Sequence, residues 1–244
     1  MIYLVHTAHW QFLGLMTGIL AWILTMAAVG IDEWRLWYVD NVSVVTSGTA
    51  WVGIWRACFH SHAFPSAESC QSISISDTFV PPEIPVSQVL MMLAVISGLA
   101  GNITAGVAIR LAYFSLENRG NIRTFFGLGG ALYVLTATLS LVPLMWNMSS
   151  VLNNNTINFP PEYQLPAAPI RQKVGSAIGV GIFASILMLI SGVLCLYYWF
   201  AQRAPEQTKD PLHGPWTATT QNSDLSKGDN QGMDNPAFSS GEIS

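Results

Sequence analysis

Residues 51–70 read WVGIWRACFHSHAFPSAESC, with two histidines between two cysteines. Two arrangements fit this stretch. Cys58, His60, His62 and Cys70 can be the ligands of a metal ion, or Cys58 and Cys70 can close a short loop as a disulfide. The choice depends on the redox compartment. The position of the stretch relative to a membrane therefore has to be established first.

The composition is that of a membrane protein. Of the 244 residues, 51% are hydrophobic and only 10% are charged, whereas soluble domains carry about 25% charged residues. The net charge is −4, and the chain has no basic run that could neutralise a phosphate backbone. The composition therefore argues against a nucleic-acid partner and for a lipid bilayer as the surroundings of much of the chain.

Four charge-free intervals are long enough to cross a bilayer as helices. They are residues 10–31, 86–109, 124–146 and 174–201. Each exceeds the roughly 20 residues that about 30 Å of hydrocarbon requires. The first interval is longer than the apolar region of a signal peptide, and no Lys or Arg precedes it, which favours a retained helix.

The basic residues predict the orientation of these helices. Residues 110–123 carry three arginines against one acid, whereas residues 32–85 carry two arginines against six acids. Arg171 and Lys173, just before the fourth interval, run against the rule. Outside the four spans we expect a cytosolic N-terminus at 1–9, a first extracellular loop at 32–85, a cytosolic loop at 110–123, a second extracellular loop at 147–173, and a polar, disordered cytosolic tail at 202–244.

Three glycosylation sequons fall in the predicted outer loops. They begin at Asn41, Asn147 and Asn154. Because the outer loops pass through the secretory lumen, the sequence predicts that these three asparagines can carry N-linked glycans.

An extracellular position decides between the two arrangements of the cysteine stretch. Thiol pairs become disulfides in an oxidising compartment, and the spacing lacks the closely paired ligands of structural zinc sites. We therefore predict a disulfide between Cys58 and Cys70, no metal and no other cofactor; a loop this short contributes about 3 kcal/mol in the chain-entropy model. Cys195, near the cytosolic end of the fourth span, is either a small core residue or a site of S-palmitoylation.

Strand-like runs flank the cysteines. Residues 72–76 alternate between serine and isoleucine, and residues 51–59 are rich in Trp, Val and Ile, as strands favour. A third strand over residues 41–45 completes a small antiparallel sheet, which can stand on a helix bundle. The predicted fold is a four-transmembrane-helix bundle with a small extracellular antiparallel β-sheet.

The same stretch resembles a family signature. Trp34, then Gly53-Ile54-Trp55, then Cys58 and Cys70 resemble the W…G-L-W-x2-C…C pattern of the claudins within the claudin and peripheral-myelin-protein superfamily, with Ile54 in place of Leu. The resemblance extends over residues 10–200 and includes glycines at the start of the fourth helix. The chain departs from the family at Gln88 and Lys173, where an Arg and a Glu are usual.

The resemblance implies a plasma-membrane adhesion protein of tight junctions. Its outer loops would associate with other claudin-like proteins, including copies of itself, within one membrane and between cells, and would contribute to the paracellular barrier. Phe159 lies where the family carries an aromatic contact residue, although a structural turn at Pro160-Pro161 explains the stretch equally well. In charge-selective members a charge stands beside a loop cysteine. Phe59 and Gln71 occupy those positions here, which predicts no strong charge selectivity.

A second hypothesis is a non-junctional member of the superfamily that serves as an auxiliary subunit of a channel or receptor. Family members usually end in a hydrophobic motif that docks on PDZ scaffolds, whereas residues 241–244 read GEIS, so PDZ binding is not expected. Nothing in the sequence predicts an enzyme, because no catalytic triad or phosphate-binding loop is recognisable and the four spans carry no charges.

Overall fold

The computed structural model describes residues 2–39, 45–61, 68–114, 119–161 and 169–201. The predicted disordered tail at 202–244 and most of the predicted strand at 41–45 lie outside these ranges, so both stay predictions.

Four long helices form the body of the protein. They are α1 (Ile2–Gly30), α2 (Glu83–Phe114), α3 (Arg119–Leu152) and α4 (Ser176–Ala201). Each contains a segment long and apolar enough to cross a membrane. The helices extend beyond the predicted spans: α1 includes nearly all of the predicted N-terminal segment, and α3 continues past residue 146 to Leu152. A helix satisfies its own backbone hydrogen bonds, so it need not end where the hydrocarbon ends.

The helices pack through small residues and hydroxyl groups. Helix α3 lies between α2 and α4, and α4 contacts α1. A Cβ atom on Gly18 would lie 2.6 Å from the Tyr133 hydroxyl, so a larger residue there would have to displace the Tyr133 side chain where α1 approaches α3. The hydroxyls of Ser140 and Ser185 join α3 to α4 at 2.7 Å. Small residues and interhelical hydrogen bonds of this kind hold helices together where lipid removes the hydrophobic driving force.

Five antiparallel strands form one sheet at the end of the bundle where α1 ends and α4 begins. They are β1 (Arg35–Tyr38), β2 (Val45–Val52), β3 (Arg56–Ser61), β4 (Glu68–Ser72) and β5 (Arg171–Val174). Their order is β4-β3-β2-β1-β5, and every neighbouring pair is antiparallel. The sheet therefore combines four strands from the segment after α1 with one from the segment before α4. The predicted fold class is confirmed, although the sheet has five strands and not three.

Two strand predictions were wrong in detail. The run 51–59 is two strands, because the chain turns at Gly53-Ile54-Trp55 and the Gly53 N–H donates to the Arg56 carbonyl at 2.9 Å. The serine–isoleucine run is no strand beyond Ser72. A side-chain hydrogen bond turns the chain there: the Asp77 carboxylate accepts from the backbone N–H of Ser74 at 2.8 Å, a local bond that competes with strand pairing.

One face of the sheet covers an apolar core. Side chains from β1, β2 and β3 meet the first turn of α2 and the chain that follows α3. The buried members of this core are Trp37, Ala50, Val52, Ala57, Phe59, Ile73, Ile84, Ile157 and Phe159. The sheet is thus seated on the bundle by a continuous apolar contact.

Candidate functional site

The disulfide joins two neighbouring strands. Cys58 and Cys70 stand directly opposite each other in the β3–β4 pairing, with their sulfurs 2.06 Å apart, so the predicted pairing is confirmed. The metal alternative is wrong because the disulfide consumes both thiolates. His60 packs edge-on against Trp51 with ring centres 5.2 Å apart; His62 lies outside the described residues. No group of three potential metal ligands occurs in the described ranges.

The signature tryptophans fasten the sheet to the bundle. Trp34 is fully buried, and its indole N–H donates to the Ala28 carbonyl of α1 at 3.0 Å. It packs in one cluster with Ile54, while the half-buried Trp55 lies against that cluster. Trp34 is therefore no interfacial anchor, since such an anchor faces headgroups. Trp55 packs between sheet and bundle.

A buried ion pair lies where the sheet meets the helices. The Arg35 guanidinium of β1 contacts the Glu83 carboxylate at the start of α2 at 3.1 Å, and both side chains are buried. Arg35 also donates to Asn147 of α3 at 2.9 Å, and the Ser150 hydroxyl donates to the same Glu83 oxygen at 2.6 Å. Burial lowers the pKa of the Arg35 guanidinium from its usual value, and the hydrogen bond and charge of Glu83 oppose that shift.

Asn147 belongs to this network, so the predicted glycan at Asn147 is wrong. The residue lies within α3 and is 1% exposed. Its side-chain nitrogen donates to the Ser87 hydroxyl at 2.6 Å and to the Pro143 carbonyl at 3.0 Å. N-glycosylation would attach the glycan to that nitrogen, which would have to be accessible to solvent. Asn154 is exposed in the turn after α3, so its glycosylation stays a prediction; Asn41 lies outside the described residues.

The Gln88 side chain is hydrogen-bonded to the turn at Gly53-Ile54-Trp55, which we call the signature turn. It is buried in the second turn of α2, and its amide nitrogen donates to the carbonyls of Ile54 at 2.6 Å and Ile73 at 3.1 Å. The family places an arginine near this position by resemblance. Here a neutral amide satisfies two buried carbonyls without bringing in an unpaired charge.

Gly175 brings the second outer segment against the first. Its backbone N–H donates to the Trp34 carbonyl at 2.9 Å, and the next turn adds a bond from Ala177 to Glu33 at 3.1 Å. A Cβ atom at Gly175 would lie 1.9 Å from the Glu33 carbonyl oxygen, so no other residue fits without displacing the backbone. This contact places β5 beside β1.

Phe159 does not face solvent. Its ring packs edge-on against Trp37 with centroids 5.2 Å apart and lies 5.9 Å from the ring of Phe79. At 8% exposure it belongs to the core beneath the sheet. The expectation that Phe159 contacts a neighbouring protein is therefore wrong for this structure, and the structural interpretation of the Asn-Phe-Pro-Pro stretch is the one that fits.

Cys195 is enclosed between helices. It is fully buried, and a Cβ atom added to Gly14 of α1 would lie 3.7 Å from its sulfur. S-palmitoylation needs a thiol that faces the membrane surface. The palmitoylation hypothesis is therefore wrong for this packing, and the small core residue is the interpretation that fits.

Two charged side chains of the segments that carry the sheet have a partner. Arg56 forms an ion pair with Asp32 at 2.7 Å, and the Lys173 ammonium lies over the Tyr38 ring at 5.2 Å. Of the two positions beside the cysteines, Phe59 is buried in the core and Gln71 is exposed. The neutral Gln71 is thus the one that faces the outside.

Comparisons with known proteins agree with this architecture. A family model described as PMP-22/EMP/MP20/Claudin tight junction matches residues 19–197. The chain is similar to human Claudin-2, with 26% identity over 79% of this chain and 80% of that protein. It is also similar to mouse Claudin-5, at 25% identity over 91% and 97% of the two chains, and to human Claudin-4, at 21% over 85% and 92%.

Proposed function

Because the chain belongs to the PMP-22/EMP/MP20/claudin tight-junction family, we propose that it contributes to the paracellular barrier through loop contacts within one membrane and between cells, without strong charge selectivity. Family membership makes it a claudin-like, multi-pass membrane protein of tight junctions and not an enzyme. The manner of contact and the electrical character of the barrier are the parts that need testing.

The observation that carries this proposal is the way in which the five-stranded sheet is fixed in place, which we call its seat. The seat consists of the Arg35–Glu83 pair, the Gly175 contact and the Cys58–Cys70 disulfide. Strands from both outer segments are locked together by the Gly175 contact and onto the bundle by the Arg35–Glu83 pair. A surface held in one orientation loses little conformational entropy on binding. Such a sheet is suited to repeated, identical contacts between copies of the protein.

The sheet ends in two edge strands. Strand β4 is the edge on one side and β5 the edge on the other; among the described residues no further strand pairs with either, and an edge strand directs backbone groups away from its sheet. An exposed isoleucine lies near each edge: Ile75 is 56% exposed and Ile170 is 67% exposed. We assign the contacts between neighbouring copies in one membrane to these edges and isoleucines, which implies a homo-oligomer.

A neutral residue beside the disulfide supports a barrier without strong selectivity. The Arg56–Asp32 ion pair balances one charge of each sign, and screening over about 8 Å at physiological salt weakens the field of the charges spread along the segment. Gln71 places no charge beside the disulfide. An aqueous path along this surface would therefore discriminate weakly between cations and anions.

Expression in cells that lack junctional strands tests the proposal. Freeze-fracture should show strands at cell contacts, and dilution potentials across monolayers should stay near those of free solution. The double variant Ile75→Ser/Ile170→Ser should fragment the strands while reaching the surface normally, whereas Thr78→Ser, an exposed change on the same outer segment, should leave them intact. Diffuse surface protein without strands would contradict the proposal, and a large dilution potential would contradict its electrical part.

Burial of Phe159 favours a second candidate, a non-junctional auxiliary subunit of a channel or receptor. The aromatic side chain expected to reach a neighbouring cell is committed to the core, which removes one adhesive contact. In the expression experiment this candidate predicts diffuse surface protein that copurifies with a channel or receptor. Strands at cell contacts would exclude it as the main role.

A further inference from the structure

An asparagine near the middle of α2 is only half covered by protein. Asn102 lies four residues from Gly98, the middle residue of the 31-residue span Glu83–Tyr113, which is about 6 Å along the helix at 1.5 Å per residue. The hydrocarbon is about 30 Å thick and so extends about 15 Å to either side of its midplane. Asn102 therefore lies well inside the hydrocarbon.

Half of the Asn102 carboxamide has no partner. Its oxygen accepts a hydrogen bond from the Tyr133 hydroxyl of α3 at 2.8 Å, whereas its nitrogen donates none to any residue that the structure describes. The side chains outside the description are too far away to reach it. On α2 the nearest of them is Phe114, twelve residues and about 18 Å along the helix. On α1, Gly18 lies at the level of the Tyr133 hydroxyl, and Ala8 is ten residues, about 15 Å, further away.

The depth of this nitrogen limits what can pair with it. An amide left unpaired in hydrocarbon is costly, because no water replaces the missing partner. Acyl chains have no acceptor, and the polar groups of lipids lie at the interface. A second membrane helix can supply an acceptor at this depth, and polar side chains join membrane helices in this way.

The carboxamide is complementary to itself. It carries a donor and an acceptor, and its oxygen has two lone pairs, of which the Tyr133 hydroxyl uses one. In a pair of Asn102 side chains, each nitrogen can donate to the other oxygen while both bonds to Tyr133 are kept. A second copy of this chain is therefore a matching partner for the nitrogen.

The surface around Asn102 suits a second helix. Gly106 lies one turn further along, and a Cβ atom added to it would meet nothing within 4 Å, so no helix of the same chain fills that space. Leu99, Ile103 and Val107 flank the two residues and are 44%, 59% and 39% exposed. Residues at this spacing share one side of a helix, and a glycine among them allows two backbones to approach closely.

We propose that two copies of the protein associate within one membrane through α2, with the two Asn102 carboxamides hydrogen-bonded to each other and Gly106 near the closest approach. A two-fold axis presents the same surface of both copies to each other, as a self-complementary side chain requires. This contact is separate from the sheet edges, so it can form even in a protein whose edges do not associate.

Energy transfer between labelled copies tests the proposal. The full-length protein carrying Ile75→Ser/Ile170→Ser, which removes the proposed edge contacts, is labelled in two colours and reconstituted in phosphatidylcholine vesicles. Transfer should saturate as the ratio of protein to lipid rises. Asn102→Leu should weaken this association about five- to thirtyfold, the loss expected for hydrogen bonds between membrane helices. Asn102→Gln keeps the carboxamide and should retain much of the association.

Tyr133→Phe separates a contact between copies from a contact within the chain. It removes the same intramolecular hydrogen bond as Asn102→Leu but leaves the Asn102 nitrogen in place, so association should be unchanged. Equal losses in the two variants would show that Asn102 only positions its own helix, and would overturn the proposal. Unchanged association in Asn102→Leu, or no transfer in vesicles that contain this protein alone, would also overturn it.

Cysteine crosslinking locates the contact on the helix surface. Ile103→Cys should form a disulfide between copies on mild oxidation, whereas Ile190→Cys, exposed on α4, should not. Adding Gly106→Leu to Ile103→Cys should abolish the crosslink, because the larger side chain keeps the helices apart. Equal crosslinking at the two positions would mean random collision and would contradict the proposal. Formation of the Cys58–Cys70 disulfide checks the fold of each variant.

Discussion

The seat of the sheet and the middle of the bundle are held together by different kinds of contact. At the seat, a disulfide, a buried ion pair and a glycine pressed against a carbonyl each fix one geometry. In the bundle, small residues and paired hydroxyls such as Ser140–Ser185 repeat along the helices. A few strong contacts hold the sheet in place, whereas many weak contacts hold the helices together.

The surroundings explain the difference. A sheet in water is held by buried, directional contacts that water cannot easily replace, and removing one partner of such a contact leaves the other buried without compensation. Helices in lipid have already satisfied their backbones, and each side-chain hydrogen bond between them adds only about 0.6 kcal/mol on average. A single substitution should therefore be far more damaging at the seat than in the bundle.

The largest effect is expected at Gly175. In Gly175→Val the new Cβ atom would lie 1.9 Å from the Glu33 carbonyl oxygen, so β5 has to leave β1. We expect the protein to be retained inside the cell, as measured by surface biotinylation. Gly179→Ala, an exposed position in the first turn of α4, is the control, because nothing lies within 4 Å of its added Cβ atom. Normal surface delivery of Gly175→Val would show that the seat tolerates rearrangement.

The second-largest effect is expected when one partner of the Arg35–Glu83 ion pair is removed. Glu83→Leu leaves the buried Arg35 charge uncompensated, which costs about 3–5 kcal/mol of folding free energy. Adding Arg35→Met should recover much of that loss, because apolar replacement of both partners is often nearly neutral. Thermal unfolding of the three purified proteins in one detergent measures both effects. A double variant no more stable than Glu83→Leu would mean that Asn147 and Ser150 depend on the charges for their own placement.

Loss of the disulfide should lower the stability of the folded protein somewhat less than loss of one partner of the ion pair. Its cysteines are 12 residues apart, and closing a loop of this length stabilises the folded state by about 3 kcal/mol in the chain-entropy model. Replacing both Cys58 and Cys70 by serine should lower the unfolding temperature and make it insensitive to reductant. The Cys195→Ala variant should keep the response to reductant of the unmodified protein. A serine variant as stable as the oxidised protein would show that the disulfide contributes little to holding the sheet in place.

The smallest effect is expected in the bundle. Ser185→Ala removes the hydroxyl pair with Ser140 but leaves Ser140 bonded within its own helix, so the loss should be about 0.6 kcal/mol. Thr138→Ala, which bonds only within α3, should be indistinguishable from the unmodified protein. Unfolding by titration with a denaturing detergent can resolve the pair. A loss of stability in Ser185→Ala as large as that in Glu83→Leu would contradict the difference between the seat of the sheet and the helix bundle.

The helices and the disulfide were predictable because each depends on residues close together in the chain. Apolar length identifies a span, and an oxidising compartment pairs two nearby cysteines. The seat was not predictable in this way. Arg35, Glu83 and Asn147 come from three separate segments, and each resembled something simpler: a loop charge, a loop charge and a glycosylation sequon.

Burial was the second property that local patterns did not reveal. Phe159 was expected to reach a neighbouring protein, and nothing in the sequence around Trp34 shows that its ring is buried. Their partners, Trp37 and Phe79 for one and the Ala28 carbonyl for the other, are brought in by the sheet and by α1. Strand β5 was missed for a related reason, since four residues containing two positive charges have no strand pattern of their own.

The place of β5 in the sheet sets an order for biosynthesis. Strands β2, β3 and β4 pair with their neighbours in sequence, so this meander can fold and be oxidised soon after it enters the secretory lumen. Strand β1 has one edge reserved for β5, which the ribosome makes only after α2 and α3. Until then the nascent chain presents an unpaired edge that other chains can occupy. A chain that ends before residue 171 keeps that edge unpaired, so we expect it to aggregate or to be degraded.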